Sequence, residues 1–186
     1  KMSVGNFIWD NENQCVSWSY NGKGFKKKFE NAHFASLNTQ KSFVYVEAGQ
    51  NYSQDQVYYL SFDGNLIFSF DKVSNKIRWQ HNGSQVEVDC INLENAQFYG
   101  DFNIIIAISG TTKLDKRVKG YSLDGKLLFE KEPPQGYSFM YLSTSDNKPT
   151  IVCDGGKENA DKYGRSSWHY IIDTKTGDML KGSLAY

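Results

Sequence analysis

Apolar and polar residues alternate along most of the chain, in short segments rich in Val, Ile, Phe, Tyr and Trp. Clusters of Gly, Asn, Asp and Ser separate these segments. This alternation is typical of β-strands that bury one face, whereas the i, i+3, i+4 spacing of an amphipathic helix is not sustained over any long stretch. The pattern therefore predicts an all-β protein.

A strand–turn–strand pattern occurs four times along the sequence. Its turns contain Gly22, Gly64, Gly125 and Gly177. Asn-Gly or Asp-Gly between alternating strands predicts a hairpin with a type I′ turn, because both central residues of that turn need positive φ. Two of the turn glycines are preceded, each 15 residues earlier, by another glycine, Gly49 or Gly110. This shared spacing indicates an internal repeat.

The repeat predicts the architecture. One further strand precedes each hairpin, and another apolar segment precedes three of them, so the unit is a four-stranded antiparallel meander of blade size. We expect a four-bladed β-propeller-like ring in a single domain, residues 1–186; a two-layer β-sandwich is the alternative. Residues 183–186 are predicted to pair beside residues 7–9 and close the ring. Residues 71–85 are interpreted as an insertion with a strand at 76–79.

Residues 170–180, Tyr-Ile-Ile-Asp-Thr-Lys-Thr-Gly-Asp-Met-Leu, resemble the strand–turn–strand of β-propeller repeats of the quinoprotein and WD types. In quinoprotein-type repeats an apolar strand ends in Asp-x-x-Thr-Gly. The Ser-x-Asp-Gly-x-Leu segments at residues 61–66 and 122–127 are looser versions of this pattern. The resemblance covers less than half of the chain and implies a propeller fold. The quinone-binding residues of those enzymes have no matching positions, so no activity is implied.

Composition excludes several classes of function. The 186 residues include 21 Lys and Arg and 21 Asp and Glu, so the chain lacks the basic excess of a general nucleic-acid binder. No apolar run is long enough to span a membrane. Residues 1–9 do not have the pattern of a signal peptide, and this expectation does not extend to a signal peptide removed before residue 1. Three widely spaced cysteines, Cys15, Cys90 and Cys153, favour a reducing, cytoplasmic location.

Strand direction predicts a functional face. Because neighbouring strands alternate in direction, we expect the long connections at one end of the sheets and the short turns at the other. The long connections are rich in charged and aromatic residues, and Trp79 suggests an added contact element within the insertion. Tyr, Trp and Arg are enriched in protein-binding hot spots. The predicted partner-binding residues are Tyr52, Asp55, Arg78, Trp79, His81, Lys113, Asp115, Arg117, Tyr137, Glu158, Asp161, Tyr163 and Arg165.

Candidate catalytic and metal-binding patterns are few. His33 and His81 lie in long connections and could meet on one face, but neither has metal-ligand spacing. Three carboxylates within residues 154–161 could hold Ca²⁺, but they lack EF-hand spacing and have lysines among them. No nucleophile elbow is present. We therefore expect no catalytic residues, no metal and no cofactor.

These observations favour a non-enzymatic protein-binding module. In its specific form this is an immunity or inhibitor protein that neutralises a bacterial toxin, because small β-rich chains without a catalytic set are similar in type, though not in motif, to such proteins. One alternative is a small-ligand-binding or hydrolytic propeller with its site at the central channel. Another is a structural or sensory fragment of a larger propeller.

Overall fold

The computed structural model describes residues 3–112 and 114–186. Within these ranges the chain forms seventeen β-strands and three short 3-10 helices. The strands make four antiparallel meanders of three, six, four and four strands, in which strands consecutive in sequence are hydrogen-bonded neighbours. The predicted all-β, propeller-like fold of blade-sized meanders is confirmed. No helix in the described part of the chain has the length and apolar character needed to cross a membrane.

The strands are named in chain order. Sheet 1 contains β1 (Val4–Asp10), β2 (Cys15–Tyr20) and β3 (Lys23–Lys28). Sheet 2 contains β4 (Ala32–Asn38), β5 (Phe43–Ala48), β6 (Gln56–Leu60), β7 (Leu66–Asp71), β8 (Lys76–His81) and β9 (Ser84–Asp89). Sheet 3 contains β10 (Asn95–Tyr99), β11 (Ile104–Gly110), β12 (Lys116–Ser122) and β13 (Leu127–Lys131). Sheet 4 contains β14 (Ser138–Ser145), β15 (Lys148–Asp154), β16 (Ser167–Ile172) and β17 (Met179–Leu184).

The chain consists of two compact units. Unit 1 is Lys1–Glu87 and contains sheet 1 and nearly all of sheet 2, whereas unit 2 is Val88–Tyr186 and contains sheets 3 and 4. The single domain over residues 1–186 stays a prediction.

In unit 1 the apolar core lies between sheets 1 and 2. Val44 and Val46 of β5 alternate with partly exposed residues, and both are fully buried. They form one cluster with apolar side chains of β2, including Trp18. The indole N–H of Trp18 donates a 2.8 Å hydrogen bond to the main-chain oxygen of Phe62. This bond satisfies the polar group of a buried tryptophan and ties sheet 1 to the connection after β6.

In unit 2 the core lies between sheets 3 and 4. Ile104, Ile106 and Ile108, on one face of β11, cluster with Phe139 and Ile151 of sheet 4. Every residue of β11 is buried, so both faces of this strand are covered. Burial on both faces explains why β11 is a nearly continuous apolar segment instead of an alternating one.

The Asn-Gly turn and the two Asp-Gly turns have different conformations. Asn21 and Gly22 have φ values of 53° and 77°, as a type I′ turn requires. In the Asp-Gly hairpin at residues 61–65 only Gly64 has positive φ; its N–H donates to Ser61 O at 2.9 Å, and Ser61 N–H donates to Asn65 O at 2.8 Å. This is a three-residue loop with a left-handed glycine, and residues 122–126 repeat it. The type I′ prediction was therefore wrong for both Asp-Gly turns, because one extra loop residue leaves the aspartate at negative φ.

Two other expectations about strand pairing were wrong. The strand expected at 76–79 is confirmed within β8, but the segment 71–85 is not a connection of the loop face, because β8 and β9 extend sheet 2 to six strands. Ser183 and Leu184 belong to β17, where Leu184 lies opposite Trp168, so they do not supply a strand beside residues 7–9. Sheet 1 accordingly has three strands within the described residues. The pattern of residues 183–186 is equally compatible with the continuation of the preceding strand.

Candidate functional site

Four connections leave one end of the sheets of unit 1, here called the loop end of unit 1: residues 11–14, 29–31, 49–55 and 72–75. Main-chain hydrogen bonds join them. Phe29 N–H donates to Gln14 O at 3.1 Å, and Gly49 N–H donates to Asn31 O at 2.9 Å. The long connections of unit 1 therefore form a single surface, as the alternation of strand direction predicts.

The corresponding loop end of unit 2 consists of residues 90–94, 111–115, 132–137 and 155–166. Gly110 N–H donates to Ile91 O at 3.1 Å, which connects the first two segments. The side-chain amide of Asn159 donates to Gly136 O at 3.2 Å, which connects the last two. An alanine at position 110 would place its Cβ 1.9 Å from the Asp115 main-chain oxygen, so the fold of this loop requires glycine there.

Three predicted contact residues lie on β8 and are not gathered at the loop end. Trp79 is completely buried and lies opposite Phe68 of β7, so the prediction of an exposed contact element was wrong. The guanidinium Nε of Arg78 lies 2.6 Å from a carboxylate oxygen of Glu87 on the next strand. His81 ends β8 at the opposite end of the sheet from the start of β4, so it does not meet His33.

Tyr52 and Asp55 lie at the loop end of unit 1. The side chain of Tyr52 is 80% exposed, and its ring stands edge-on to the His33 ring at a centroid distance of 5.8 Å. Tyr52 has a φ of 60°, a left-handed conformation that is costly for an aromatic residue. The main-chain oxygen of Asp55 accepts a 2.8 Å hydrogen bond from Lys72 N–H.

Asp115 and Arg117 form an ion pair in unit 2, with Arg117 Nε 3.3 Å from Asp115 Oδ1. Arg117 also reaches Glu132, at 3.2 Å, and so bridges two connections of the loop end. A hydrogen bond from the Thr111 hydroxyl, then the bond from Arg117, holds the pKa of Asp115 below its ordinary value. Lys113, also predicted as a contact residue, lies outside the described residues.

Tyr137 is engaged inside unit 2. Its hydroxyl accepts a 3.0 Å hydrogen bond from Lys181 Nζ, and this bond lowers the pKa of Tyr137. The same ammonium group lies 4.2 Å from the ring centroid of Trp168. Tyr137 therefore holds the edge strand β17 in place, and its ring also packs on Tyr170.

The remaining predicted residues lie in the connection 155–166. Tyr163 is 69% exposed, and Lys162 and Arg165 each place a cationic group 5.0 Å from its ring centroid. The Arg165 guanidinium also lies 2.7 Å from a carboxylate oxygen of Asp161. Glu158 is exposed in the short 3-10 helix Lys157–Asn159. In this connection Arg165 therefore links two other predicted residues, the exposed Tyr163 and Asp161.

The carboxylates of residues 154–161 do not converge. Asp154 accepts a 2.6 Å hydrogen bond from the Ser166 hydroxyl, and Asp161 is engaged with Arg165. Within residues 3–112 and 114–186, no group of three potential ligand side chains is placed to hold a metal. All three cysteines are buried thiols, and burial raises the pKa of Cys153 to about 12, so it stays protonated at neutral pH.

Sequence reasoning missed a polar cluster at the loop end of unit 1, composed of His33, Tyr45, Glu47, Ser53 and Gln54. The hydroxyl of Tyr45 donates to Glu47 Oε2 at 2.7 Å. Gln54 Nε2 lies 3.3 Å from the Tyr45 oxygen, and His33 Nε2 lies 3.9 Å from Glu47 Oε1. Burial, then the Glu47 carboxylate, raises the pKa of Tyr45. The Ser53 hydroxyl is buried and has no hydrogen-bond partner among the described residues.

One sequence signal could have revealed this polar cluster. Glu47 is the only charged residue of β5, whose sequence is otherwise apolar. A carboxylate in such a strand needs polar partners. One partner, Tyr45, lies two residues earlier on the same face of β5, whereas His33 and Gln54 come from β4 and from the connection 49–55 and meet Glu47 only in the folded sheet.

Among the described residues, five exposed large apolar side chains lie on connections at the two loop ends. In unit 1 these are Tyr52 and Val73; in unit 2 they are Ile91, Leu114 and Tyr163, with Leu114 96% exposed. Among the described turns at the opposite ends, only Phe102 is comparable, at 39%. Single exposed apolar residues are common, and some also lie on strands, such as Leu127 and Leu180; those at the loop ends differ in being carried by connections.

Neither a protein-family model nor a curated protein matches the sequence. Among solved structures, the chain is similar to a candidate 6-phosphogluconolactonase from Bacteroides fragilis, with a TM-score of 0.42 at 10% identity over 94% of this chain and 67% of that one. A Bacteroides caccae protein of unknown function has a TM-score of 0.36 at 9% identity, over 99% of this chain and 58% of that one. The dihydro-heme d1 dehydrogenase NirN, in complex with DHE, has a TM-score of 0.32 at 12% identity, over 95% of this chain and 54% of that one.

These similarities correct one prediction. Two of the three similar structures have the names of enzymes, so the prediction that the chain is not an enzyme was wrong. The lack of a recognisable catalytic motif is therefore no ground for excluding a reaction. The similarities themselves assign neither an activity nor a substrate to this chain, which spans only about half to two thirds of the three solved chains.

Proposed function

We propose that the chain binds a protein partner through the loop end of unit 2. The observation that carries the proposal is the exposure of Ile91, Leu114 and Tyr163 on connections of the loop end of unit 2. Exposed apolar and aromatic side chains on loops held by a rigid sheet are typical of protein-binding surfaces.

The charges around these residues favour a partner with an apolar centre and a polar rim. Asp115 and Arg117 pair with each other, and so do Asp161 and Arg165. Pairs of this kind on the rim of an interface add little affinity but orient the partner and accelerate association. The side chains of Ile91, Leu114 and Tyr163 then contribute most of the affinity once water is excluded from the interface.

The test compares the wild-type chain with a Leu114→Ser, Tyr163→Ser double variant in capture from the source cells, followed by measurement of Kd with the purified partner. We expect the wild type to retain one stoichiometric partner and the double variant to raise its Kd at least about tenfold. Phe102→Ser, at the opposite end of unit 2, is the matched control and should bind like the wild type. Equal binding by the double variant, or the recovery of no stoichiometric partner, would reject the proposal.

The specific form of this proposal is that the partner is a bacterial toxin and the chain is its immunity protein. Co-expression distinguishes it from other partners: the chain should suppress the toxicity of the captured protein, and the double variant should not. A partner that is harmless when expressed alone would reject the immunity function and keep the binding function.

A further inference from the structure

Three side chains of the polar cluster in unit 1, those of Tyr45, Gln54 and His33, use donors inside the cluster, whereas the buried Ser53 hydroxyl has no partner among the described residues. Tyr45 donates its hydroxyl hydrogen to Glu47 Oε2. Gln54 Nε2 donates toward the Tyr45 oxygen and toward Glu47 Oε2, at 3.3 and 3.4 Å. His33 Nε2 lies 2.8 Å from the main-chain oxygen of Ser53, and because a carbonyl only accepts, this ring nitrogen carries the hydrogen.

The acceptors of the polar cluster are not all used. Glu47 Oε1 accepts no hydrogen bond from the part of the chain that the structure describes, and its nearest polar neighbour, His33 Nε2, is 3.9 Å away. The Glu47 side chain is 22% exposed, so this oxygen can be reached from outside the cluster. In neutral His33 the second ring nitrogen is also an acceptor, because the hydrogen is on Nε2. A negative charge with unused acceptors is suited to a donor-bearing cation.

Two exposed aromatic rings flank the polar cluster. The Phe34 ring is 47% exposed and lies edge-on to Tyr45 at a centroid distance of 6.1 Å. On the other side Tyr52 is edge-on to His33. The face of an aromatic ring attracts a cation held within about 6 Å of its centroid. Aromatic faces beside a carboxylate are the combination that recognises organic ammonium groups.

We propose that the polar cluster, with Phe34 and Tyr52, binds an alkylammonium group, carried either by a free amine or by a lysine side chain. The ammonium donates a hydrogen bond to Glu47 Oε1, and its alkyl part packs on the exposed rings. An anion would be repelled by Glu47. A neutral alcohol would satisfy the acceptor but would gain nothing from the charge of the carboxylate. This site lies in unit 1 and is independent of the partner surface proposed in unit 2.

The test titrates the full chain with n-butylammonium, with a peptide that contains one lysine, and with 1-butanol as the neutral probe, while NMR follows the Ser53 and Gln54 amide signals. We expect saturable binding of the ammonium probes at millimolar or lower concentration and none of 1-butanol. Glu47→Gln should weaken binding at least about tenfold, because a charge-assisted hydrogen bond is lost. Asp146→Asn makes the same charge change in an exposed turn at the opposite end of unit 2 and should leave the Kd unchanged.

Phe34→Leu keeps the test decisive if the Glu47 variant folds poorly, since Phe34 is exposed and has no part in the hydrogen bonds of the polar cluster. It should weaken binding about two- to fivefold, the usual contribution of one exposed ring to cation binding. Tighter binding of the peptide than of n-butylammonium assigns the site to a lysine side chain, and the reverse order assigns it to a free amine. Failure of both ammonium probes, equal binding of 1-butanol, or normal binding by both variants would overturn the proposal.

Discussion

The hairpin of β8 and β9 and the connection 155–166 have similar compositions, but their aromatic residues differ in exposure to solvent. Each has an aromatic residue close to an arginine and to carboxylates, and each was predicted to contact a partner. Trp79 of the hairpin is fully buried, whereas Tyr163 of the connection is 69% exposed. Composition alone therefore does not separate a contact surface from a core.

The order of the residues does separate the two regions. In Lys76-Ile77-Arg78-Trp79 charged and apolar residues alternate, which is the period of a strand that buries one face. The connection 155–166 has no such alternation. When β8 pairs with β7, Ile77 and Trp79 lie opposite Phe70 and Phe68 and are buried on the same face of sheet 2. The remaining side chains stay at the surface, where Arg78 pairs with Glu87.

The largest difference between the two regions is expected when their aromatic residues, Trp79 and Tyr163, are replaced. Trp79→Ala should lower the free energy of unfolding by about 3–5 kcal/mol, because a fully buried ring leaves a cavity. Tyr163→Ala should change it by less than about 0.5 kcal/mol, because an exposed side chain loses few contacts. Urea unfolding followed by circular dichroism measures both. A Trp79→Ala chain as stable as the wild type would show that the hairpin is not part of the core.

A smaller effect is expected at the base of the connection 155–166. A Cβ at position 155 would lie 2.7 Å from the Tyr137 ring and 2.6 Å from Asn159 Cβ. Gly155→Ala should therefore cost about 1–3 kcal/mol in thermal or urea unfolding, the usual cost of overpacking. Gly24→Ala in β3 is the matched control: the added methyl group has open space and the φ of Gly24 is not positive, so the change should be less than about 0.5 kcal/mol. If the control proves the more harmful of the two, the close packing at Gly155 does not limit this loop.

The smallest effect is the acid sensitivity of the same connection. The Ser166 hydroxyl, then Gly156 N–H, holds the pKa of Asp154 below its ordinary value of 3.8. The ionised carboxylate therefore favours the folded connection above the pKa of the unfolded chain, and this contribution is lost as pH falls below 3.8 toward the folded pKa. The protection factor of the Gly156 amide against hydrogen exchange, which corrects for the intrinsic pH dependence of exchange, should fall over that range.

Ser166→Ala supplies the control for the acid effect. It removes the main cause of the shift, so the pKa of Asp154, measured by carboxyl NMR titration, should rise toward 3.8. Glu87 in the hairpin should titrate independently of this change, because its pKa is lowered by Arg78 and then by Lys76. An unchanged Asp154 titration would mean that the hydroxyl is not the stabilising partner.

Much of the fold was predictable because its signals are local. Alternation identified β5, and the continuous apolar run identified β11, while glycines marked the turns. Prediction failed where one local pattern fits two structures. Asp63-Gly64 fits both a two-residue and a three-residue turn, and residues 183–184 fit both a new strand and the end of β17.

The candidate sites were less predictable than the fold. Exposure of Tyr52 and Tyr163 followed from their place on long connections. The meeting of His33, Glu47 and Gln54 did not, because each comes from a different element and nothing in their spacing relates them. The cytoplasmic location also stays a prediction, because it depends on the cysteine count alone.

The amino-acid order by itself determined where the strands run and which of their faces is apolar, because side chains alternate across a strand and glycine or asparagine tolerates positive φ whatever the rest of the chain does. The order of residues 76–79 indicates that Ile77 and Trp79 share a face; the tertiary structure alone decided that this face is covered and that Glu47 faces His33. Both outcomes depend on which strands become neighbours in sheet 2, and neighbours in a sheet are selected by packing over the whole unit, not by the sequence of either strand.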